Sequence, residues 1–387
     1  MIVWTCIGFL ALAAWLYLLV ARGGFWRARE RDDGPDMPLP SRWPAVVAVV
    51  PARNEADVIA RSMGSLLRQD YPGSFRVVLL DDGSSDGTAA AALQVAGSTG
   101  GERRLEVVQG AELPAGWTGK MWALEQGIQK ASMSGDPIDY YLLTDADIGH
   151  TADNLGSLVA RAEYENRVLV SLMAELSCTS WAERFLIPAF VFFFQMLYPF
   201  AWVAQRDHRT AAAAGGCVLV RRDALEHAGG IAAIKSEIID DCALARRLKR
   251  QGSIWLGLTR RATSLRPYGG FWSIGRMISR SAYAQLGYSP LLLAGTVAGM
   301  GLIYLAPPLL ALFATGPAQW AGLAAWVLMA LSFQPIVRFY RLMPLWGLAL
   351  PAIGAAYTMF TVQSALDVWR GRGGMWKGRA QAITGET

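Results

Sequence analysis

Asp145 and Asp147, two residues apart, follow the apolar run Tyr140–Leu143. In extended chain, side chains two residues apart point the same way, so both carboxylates can approach one cation. Hard Mg²⁺ or Mn²⁺ ions take such oxygen ligands together with substrate phosphates, and a metal held there offsets charge on a departing diphosphate. Two further polar clusters lie upstream. Pro51-Ala52-Arg53-Asn54-Glu55 follows one apolar run, and Asp81-Asp82-Gly83-Ser84-Ser85-Asp86-Gly87-Thr88 follows another. Asp82 can accept hydrogen bonds from a base or ribose, or serve only its turn. Gly83 and Gly87 suit turning, and Asp86 suits capping the next helix.

The remaining candidates are more scattered. Lys120, in Gly116-Trp117-Thr118-Gly119-Lys120, precedes a helix expected from about Met121. There a lysine can meet a phosphate as a point charge beside a helix N-terminus, or remain a surface lysine after a glycine turn. Gly215-Gly216-Cys217 forms a small-residue turn, marked as acceptor-side. Asp240 and Asp241 open a helix expected over Cys242–Arg250. That position favours carboxylates through the helix dipole alone. One of the pair can also serve as general base toward an acceptor hydroxyl, and Asp241 is the candidate, with Asp240 beside it on the acceptor side. The three histidines and four cysteines show no ligand or disulfide spacing.

Elements must bring these clusters together. Ala45–Val50, Arg76–Leu80, Leu105–Val108 and Tyr140–Thr144 read as strands, and Ala56–Arg68 and Thr88–Ala96 as helices. Strands alternating with helices imply an α/β domain with a mostly parallel sheet. Ligands of such sheets sit at the carboxyl ends of the strands, where the Glu55, Asp82 and Asp145 clusters fall.

The rest of the 387-residue chain is unlike a soluble enzyme. It is 53% hydrophobic and only 17% charged, against roughly 25% charged for soluble chains. No Asp, Glu, Lys, Arg or His occurs from Met1 to Ala21, Ser281 to Val337 or Leu342 to Leu366. Spanning a bilayer takes about 20 apolar residues, so helical spans are expected at Ile2–Val20, Leu291–Ala311, Gln319–Val337 and Leu345–Leu366. The first has no positive residue before it and Arg22, Arg27, Arg29 and Arg31 after it. It reads as an uncleaved anchor with the following chain in the cytoplasm. Arg338 and Arg341 agree with that orientation, whereas Arg370, Arg372, Lys377 and Arg379 fall on the other side if every segment crosses. The net charge of +5 resides largely in arginines beside apolar runs, which fits anionic lipid rather than nucleic acid. Phe185–Gln205 is also uncharged and aromatic, but a crossing there would separate the metal motif from the base. An interfacial helix is expected instead, with Trp181 and Trp202 near head-group level.

Pro-Ala-Arg-Asn-Glu, Asp-Asp-Gly-Ser-Ser-Asp-Gly-Thr, Asp-Ala-Asp and Asp-Asp before Leu-Ala-Arg-Arg-Leu together resemble the family 2 glycosyltransferases of the GT-A fold, from about Pro44 to Gly252. Gly-Trp-Thr-Gly-Lys-Met-Trp-Ala at 116–123, Phe-Leu-Ile-Pro-Ala-Phe-Val-Phe-Phe-Phe-Gln at 185–195 and the C-terminal spans look like the hopene-associated membrane glycosyltransferases of bacteria. The resemblance implies inverting, metal-dependent transfer, with Pro51, Glu55 and Asp82 on the nucleotide of a donor, a UDP-sugar favoured. It further implies Asp147 with Asp145 on metal and diphosphate, and Asp241 as base. The family's Glu-Asp reads Asp240-Asp241 here. The Gln-x-x-Arg-Trp signature of processive members keeps only Arg280 in Met277–Ser281, which argues against polymer extrusion and leaves Arg280 as a diphosphate contact or a membrane-surface arginine. The implied organisation is an anchor (1–22), cytoplasmic linker (23–43), GT-A domain (44–270, with 185–205 interfacial), amphipathic segment (271–289), C-terminal spans (290–368) and basic tail (369–387). The implied setting is the bacterial inner membrane, with transfer of one sugar to a lipid, a hopanoid or other polyisoprenoid. A polyprenyl-phosphate acceptor, met by Arg206, Arg209 and Arg276, and a non-catalytic membrane scaffold are the alternatives.

Overall fold

A computed structural model describes residues 1–34, 37–371, 375–376 and 379–380; Arg372 and Lys377 of the basic tail lie outside the described residues. In chain order, α1 (Ile2–Ala21) leads to β1 (Val46–Ala52), α2 (Ile59–Leu67), β2 (Phe75–Asp81), α3 (Thr88–Thr99), β3 (Leu105–Gln109), α4 (Gly119–Ser132), β4 (Tyr140–Thr144) and β5 (Ile148–His150). Next come α5 (Asn154–Tyr164), β6 (Arg167–Glu175), α6 (Trp181–Leu197), α7 (Phe200–Ala204), β7 (Cys217–Arg221), α8 (Arg222–His227), α9 (Asp240–Gln251) and β8 (Ser253–Ser264). Then follow α10 (Phe271–Gln285), α11 (Pro290–Met300), α12 (Ala306–Phe313), α13 (Pro317–Phe339), α14 (Leu350–Trp369) and the strand pair β9 (Met375–Trp376) and β10 (Arg379–Ala380).

These elements fall into two compact units. The first contains Glu30–Ser177 and Trp202–Pro267, built on an eight-stranded sheet of order β3-β2-β1-β4-β7-β6-β8-β5. β1 to β4 pair in parallel. Every residue of β1 and β4 is buried, as expected of central strands covered on both faces. The mostly parallel GT-A-like α/β sheet is therefore present, with two reversals that the strand–helix alternation does not announce. β7 runs antiparallel between β4 and β6, and β5 antiparallel to β8. The first reversal matters most: Cys217 at the start of β7 pairs with Thr144 at the end of β4. Pro51 is a correction to the loop reading, because β1 continues through it to Ala52, pairing Pro51 with Leu80.

The second unit contains Met1–Arg29, Cys178–Ala201 and the chain from Tyr268 through α14. Four of its helical stretches are long and apolar enough to cross a membrane: Ile2–Ala21, Pro290–Phe313, Pro317–Phe339 and Pro344–Trp369. Only Gly8, Ala11 and Trp15 of α1 are buried, while Phe9, Leu10, Leu291, Leu309, Leu312, Phe313 and Trp320 are exposed. Apolar surface on this scale marks a lipid-facing exterior. Some interior polar groups find backbone partners: Trp15 Nε1 donates to the Ile303 carbonyl at 2.9 Å, and Tyr357 Oη to that of Leu186 at 2.8 Å, whereas the buried Gln195 amide does not.

The 185–205 segment is two helices rather than one. α6 ends at Leu197 because Tyr198 precedes Pro199, whose ring disfavours helical geometry at the residue before it. α6 packs by its aromatic face into the helical unit, Phe192 against Phe333 (5.2 Å between ring centroids) and Phe193 against Tyr357 (4.7 Å). Arg22, just past α1, donates to the Met196 and Leu197 carbonyls at 3.0 and 3.1 Å, satisfying orphan acceptors at the end of α6. Trp181 is exposed. Trp202 instead lies in the sheet unit, stacked on His208 at 4.5 Å, so the expected pair of outward tryptophans reduces to one.

Gly127 sets how closely α4 approaches the sheet: a Cβ there would lie 2.4 Å from Val49 Cγ1 of β1. Gly127→Val should therefore lower stability by about 1–3 kcal/mol through overpacking, measured as a reduced unfolding midpoint of the detergent-purified protein.

Candidate active site

The site forms where the carboxyl ends of β1, β2 and β4 meet the start of β7. Two loops are laced together first. Asn54, in the left-handed region at φ 52°, accepts from Ser85 N–H through Oδ1 (2.9 Å), while its own N–H donates to Ser84 Oγ (3.0 Å). Glu55 N–H donates to Thr88 Oγ1 (2.8 Å) and Ala56 N–H to Asp86 Oδ2 (3.0 Å). Asp86 Oδ1 also accepts from Thr88 N–H and Oγ1. Asp86 thus takes the first N–H of α3, whose N-cap is Gly87, and Asp86 and Thr88 together brace the Glu55 loop. Asp82 is almost fully buried, its backbone carbonyl accepting from Arg53 and its carboxylate 3.7 Å from the same guanidinium.

The Asp-Ala-Asp motif is a turn, correcting the extended-chain expectation. Ile148 N–H donates to the Asp145 carbonyl at 3.2 Å, and Ala146 is buried, which turns the backbone while both aspartates stay partly exposed. Thr144, just before it, donates to the Gly216 carbonyl (2.8 Å) and meets His150 at 3.1 Å. His150 in turn lies 2.8 Å from Asn154, and burial pushes its pKa down to about 4. It is a neutral brace, in keeping with its structural reading.

Lys120 joins the two halves of the site. Thr118 caps α4 through Met121 N–H (3.4 Å), and its own N–H donates to the Lys235 carbonyl (2.8 Å), anchoring the start of α4 to the chain before α9. Two residues on, Lys120 Nζ lies 2.7 Å from Asp145 Oδ1 and 3.5 Å from Asp240 Oδ2. Burial opposes its charge, but Asp145, Asp240 and Asp241 outweigh it and raise the ammonium pKa above its ordinary value.

Asp241 accepts from Gly215 N–H through Oδ2 (3.0 Å) and from Cys242 N–H through Oδ1 (2.7 Å). Burial, then the neighbouring Asp240 charge, pushes its pKa up to about 6 against the pull of Lys120 and these N–H donors. Neither aspartate is the N-cap of α9, a place taken by Ile239, so both carboxylates point to tertiary partners. Gly215 leaves Lys120 room: a Cβ there would sit 3.2 Å from Lys120 Nζ, which would have to give by a few tenths of an ångström, and in ordinary contact with Asp241 Oδ2 at 3.6 Å. Cys217 corrects its acceptor-side assignment. It is fully buried, accepts from Asn154 Nδ2 at 3.7 Å, and its thiol is pushed up to about 12 by burial. It is a core side chain, and Gly216 contributes its carbonyl. Arg280 is exposed on α10 in the helical unit.

Arg266 is the functional residue that sequence reasoning missed. Its Nη2 pairs with Glu55 and lies 3.2 Å from Asp57 Oδ1, while Nε lies 3.8 Å from Asp147 Oδ2. Leu265 N–H donates to the Asp147 carbonyl at 2.8 Å, fixing this stretch against the motif. Arg266 follows the end of β8, so the strand-end rule would have found it had 253–264 been read as a strand. Burial, then the charges of Asp145 and Glu55, raises the Asp147 pKa to about 6, with Arg266 opposing. The donor set suits a hard divalent cation. Among the described residues no cluster of three His, Cys, Asp or Glu side chains forms, so two carboxylates would share such an ion with diphosphate oxygens and water.

A mostly parallel sheet with nucleotide-type loops, an Asp-x-Asp turn and a helix-start carboxylate at one edge defines a GT-A domain. The glycosyl transferase family 2 model matches residues 47–229, which makes this stretch a glycosyltransferase domain. It is 34% identical over 118 residues to the uncharacterized glycosyltransferase YaiP of Escherichia coli K12, a match covering 30% of this chain. The match spans 26% of that relative's length. The fold is similar to that of the mannosyltransferase PcManGT from Pyrobaculum calidifontis, solved with GDP-Man and Mn²⁺, at a TM-score of 0.54 and 20% identity, covering 95% of this chain and 99% of that one. At that identity the likeness is one of fold.

Gly215→Ala presses on Lys120 Nζ, which lies between Asp145 and Asp240. It should slow sugar transfer about ten- to hundredfold through misplacement of reacting groups, with unchanged circular dichroism; initial rates at saturating donor check this.

Proposed function

We propose that this chain transfers a single sugar, with inversion, from a nucleotide-diphosphate sugar to the hydroxyl of a membrane lipid, working from the cytoplasmic face of the bacterial inner membrane as a multi-pass protein. The observation that carries this reading is the Lys120 bridge. One ammonium spans the Asp-Ala-Asp turn and the Asp240-Asp241 pair, so donor-side and acceptor-side carboxylates share one site.

In this reading Glu55, Asp82 and the β1 end at Pro51 hold the nucleotide, Lys120 faces the diphosphate, and Arg280 is a further diphosphate contact. A bound Mg²⁺ or Mn²⁺ would neutralise charge developing on the leaving diphosphate. Asp241 takes the proton of the acceptor hydroxyl as its oxygen attacks the anomeric carbon and the bond to the diphosphate oxygen breaks. The Gly215 and Cys242 N–H groups orient its carboxylate. Its raised pKa keeps it ionised near neutrality yet a better proton acceptor than an ordinary aspartate. A UDP-sugar is the favoured donor. Four apolar helices and the resemblance to hopene-associated enzymes support a hopanoid or other polyisoprenoid acceptor delivered within the bilayer.

Asp241→Asn should cut transfer at least about a hundredfold, and full activity in that variant would remove Asp241 as the base. In the parent enzyme the carboxylate must be ionised to act, so kcat should fall as pH drops through about 6 and level off above it. Mass spectrometry of membrane lipids with and without the protein should reveal one glycolipid bearing a single sugar; an unchanged lipid profile counts against a lipid acceptor.

A further inference from the structure

Each carboxylate of the Asp-Ala-Asp turn faces a cation of the protein's own. Lys120 Nζ lies 2.7 Å from Asp145 Oδ1, and Arg266 Nε lies 3.8 Å from Asp147 Oδ2. Neither cation is a loose surface group. Lys120 is held between Asp145 and Asp240, and Arg266 between Asp147 and the Glu55–Asp57 loop. One guanidinium therefore connects the loop assigned to the nucleotide with the carboxylate assigned to the metal. A divalent ion needs the same oxygens that these cations face, and like charges a few ångströms apart repel strongly away from bulk water. Close metal coordination and the two ion pairs compete for one set of lone pairs.

We propose that Lys120 and Arg266 are exchangeable counter-cations of the metal carboxylates. They swing from Asp145 and Asp147 to the donor diphosphate when a divalent ion is held, so that metal and nucleotide bind interdependently. The proposal rests on the metal and donor assignments made above and adds the exchange. Its chemistry is balanced in charge: two side-chain cations leave two carboxylates as one divalent cation arrives, and the diphosphate accepts the displaced pair. Guanidinium suits bidentate contact with phosphate oxygens, and lysine acts there as a point charge. Because coupling between sites is reciprocal, whatever the nucleotide does for metal affinity the metal does for the nucleotide.

The test is Mn²⁺ binding to the purified full-length protein, read from the electron paramagnetic resonance of free Mn²⁺, alone and with saturating UDP or, in parallel, GDP. The wild type should bind Mn²⁺ about tenfold more tightly with one of these nucleotides than without. Arg266→Gln should bind Mn²⁺ alone about tenfold more tightly than the wild type and gain less from nucleotide. Arg266→Lys, which keeps the charge, should stay near the wild type. Arg266 is 37% exposed, so these changes spare the core. An Arg266→Gln affinity for Mn²⁺ alone equal to the wild type, an Arg266→Lys gain matching that of glutamine, or a wild-type affinity that neither nucleotide alters overturns the exchange. Asp147→Asn tells the two readings apart: it should abolish Mn²⁺ binding, and binding that survived would overturn the metal assignment itself.

Discussion

Glu55, Asp57, Asp145 and Asp147 gather beyond the carboxyl ends of the central strands β1 and β4, where their mutual repulsion has to be offset. Partly buried carboxylates repel one another more than in water and lose hydration. The protein answers with cations from distant points of the chain: Lys120 from the start of α4 and Arg266 from beyond β8. A second acidic pair, Asp240 and Asp241, shares Lys120 and adds backbone N–H donors from Gly215 and Cys242. Ion pairs thus link segments far apart in the chain at this site.

The fold supplies these partners by a few geometric devices. Antiparallel β7 begins where β4 ends, which brings Gly215 and Gly216 beside Asp145 and lets the Gly216 carbonyl accept from Thr144. Gly127 lets α4 lie close on β1, carrying Lys120 toward the edge. His150 is kept neutral by burial and braces Thr144 without adding another charge. Side-chain and backbone bonds between the Glu55 loop and the loop after Asp82 hold these two strand ends in the same frame.

The helical unit follows different physics. Its helices bury small residues and a few aromatics against each other and leave leucines and phenylalanines outside, as suits a lipid solvent in which outward apolar groups cost nothing. Trp15 and Tyr357 inside it donate to backbone carbonyls, which satisfies them without water. α6 belongs to this unit by its aromatic packing although it is inserted between β6 and β7 of the sheet unit. The chain thus passes from one unit to the other after Arg29, Ser177, Ala201 and Pro267.

The sequence by itself determined the class of fold, the four apolar helices and the acidic clusters, because each is written in local pattern. Strand and helix periods, uncharged runs and polar residues at strand ends depend on neighbours a few positions away. Asp145, Asp147 and Asp241 could be named for that reason. Arg266 could not, since its partners lie far along the chain and only β8 brings it to them. The core placement of Cys217, the turn at Ala146, the strand position of Pro51 and the break of 185–205 at Pro199 were likewise settled by packing. Only the tertiary structure decided which cation faces which carboxylate, because charge pairing depends on distance in space: the start of α4 brings Lys120 to Asp145, and the chain after β8 brings Arg266 to Asp147.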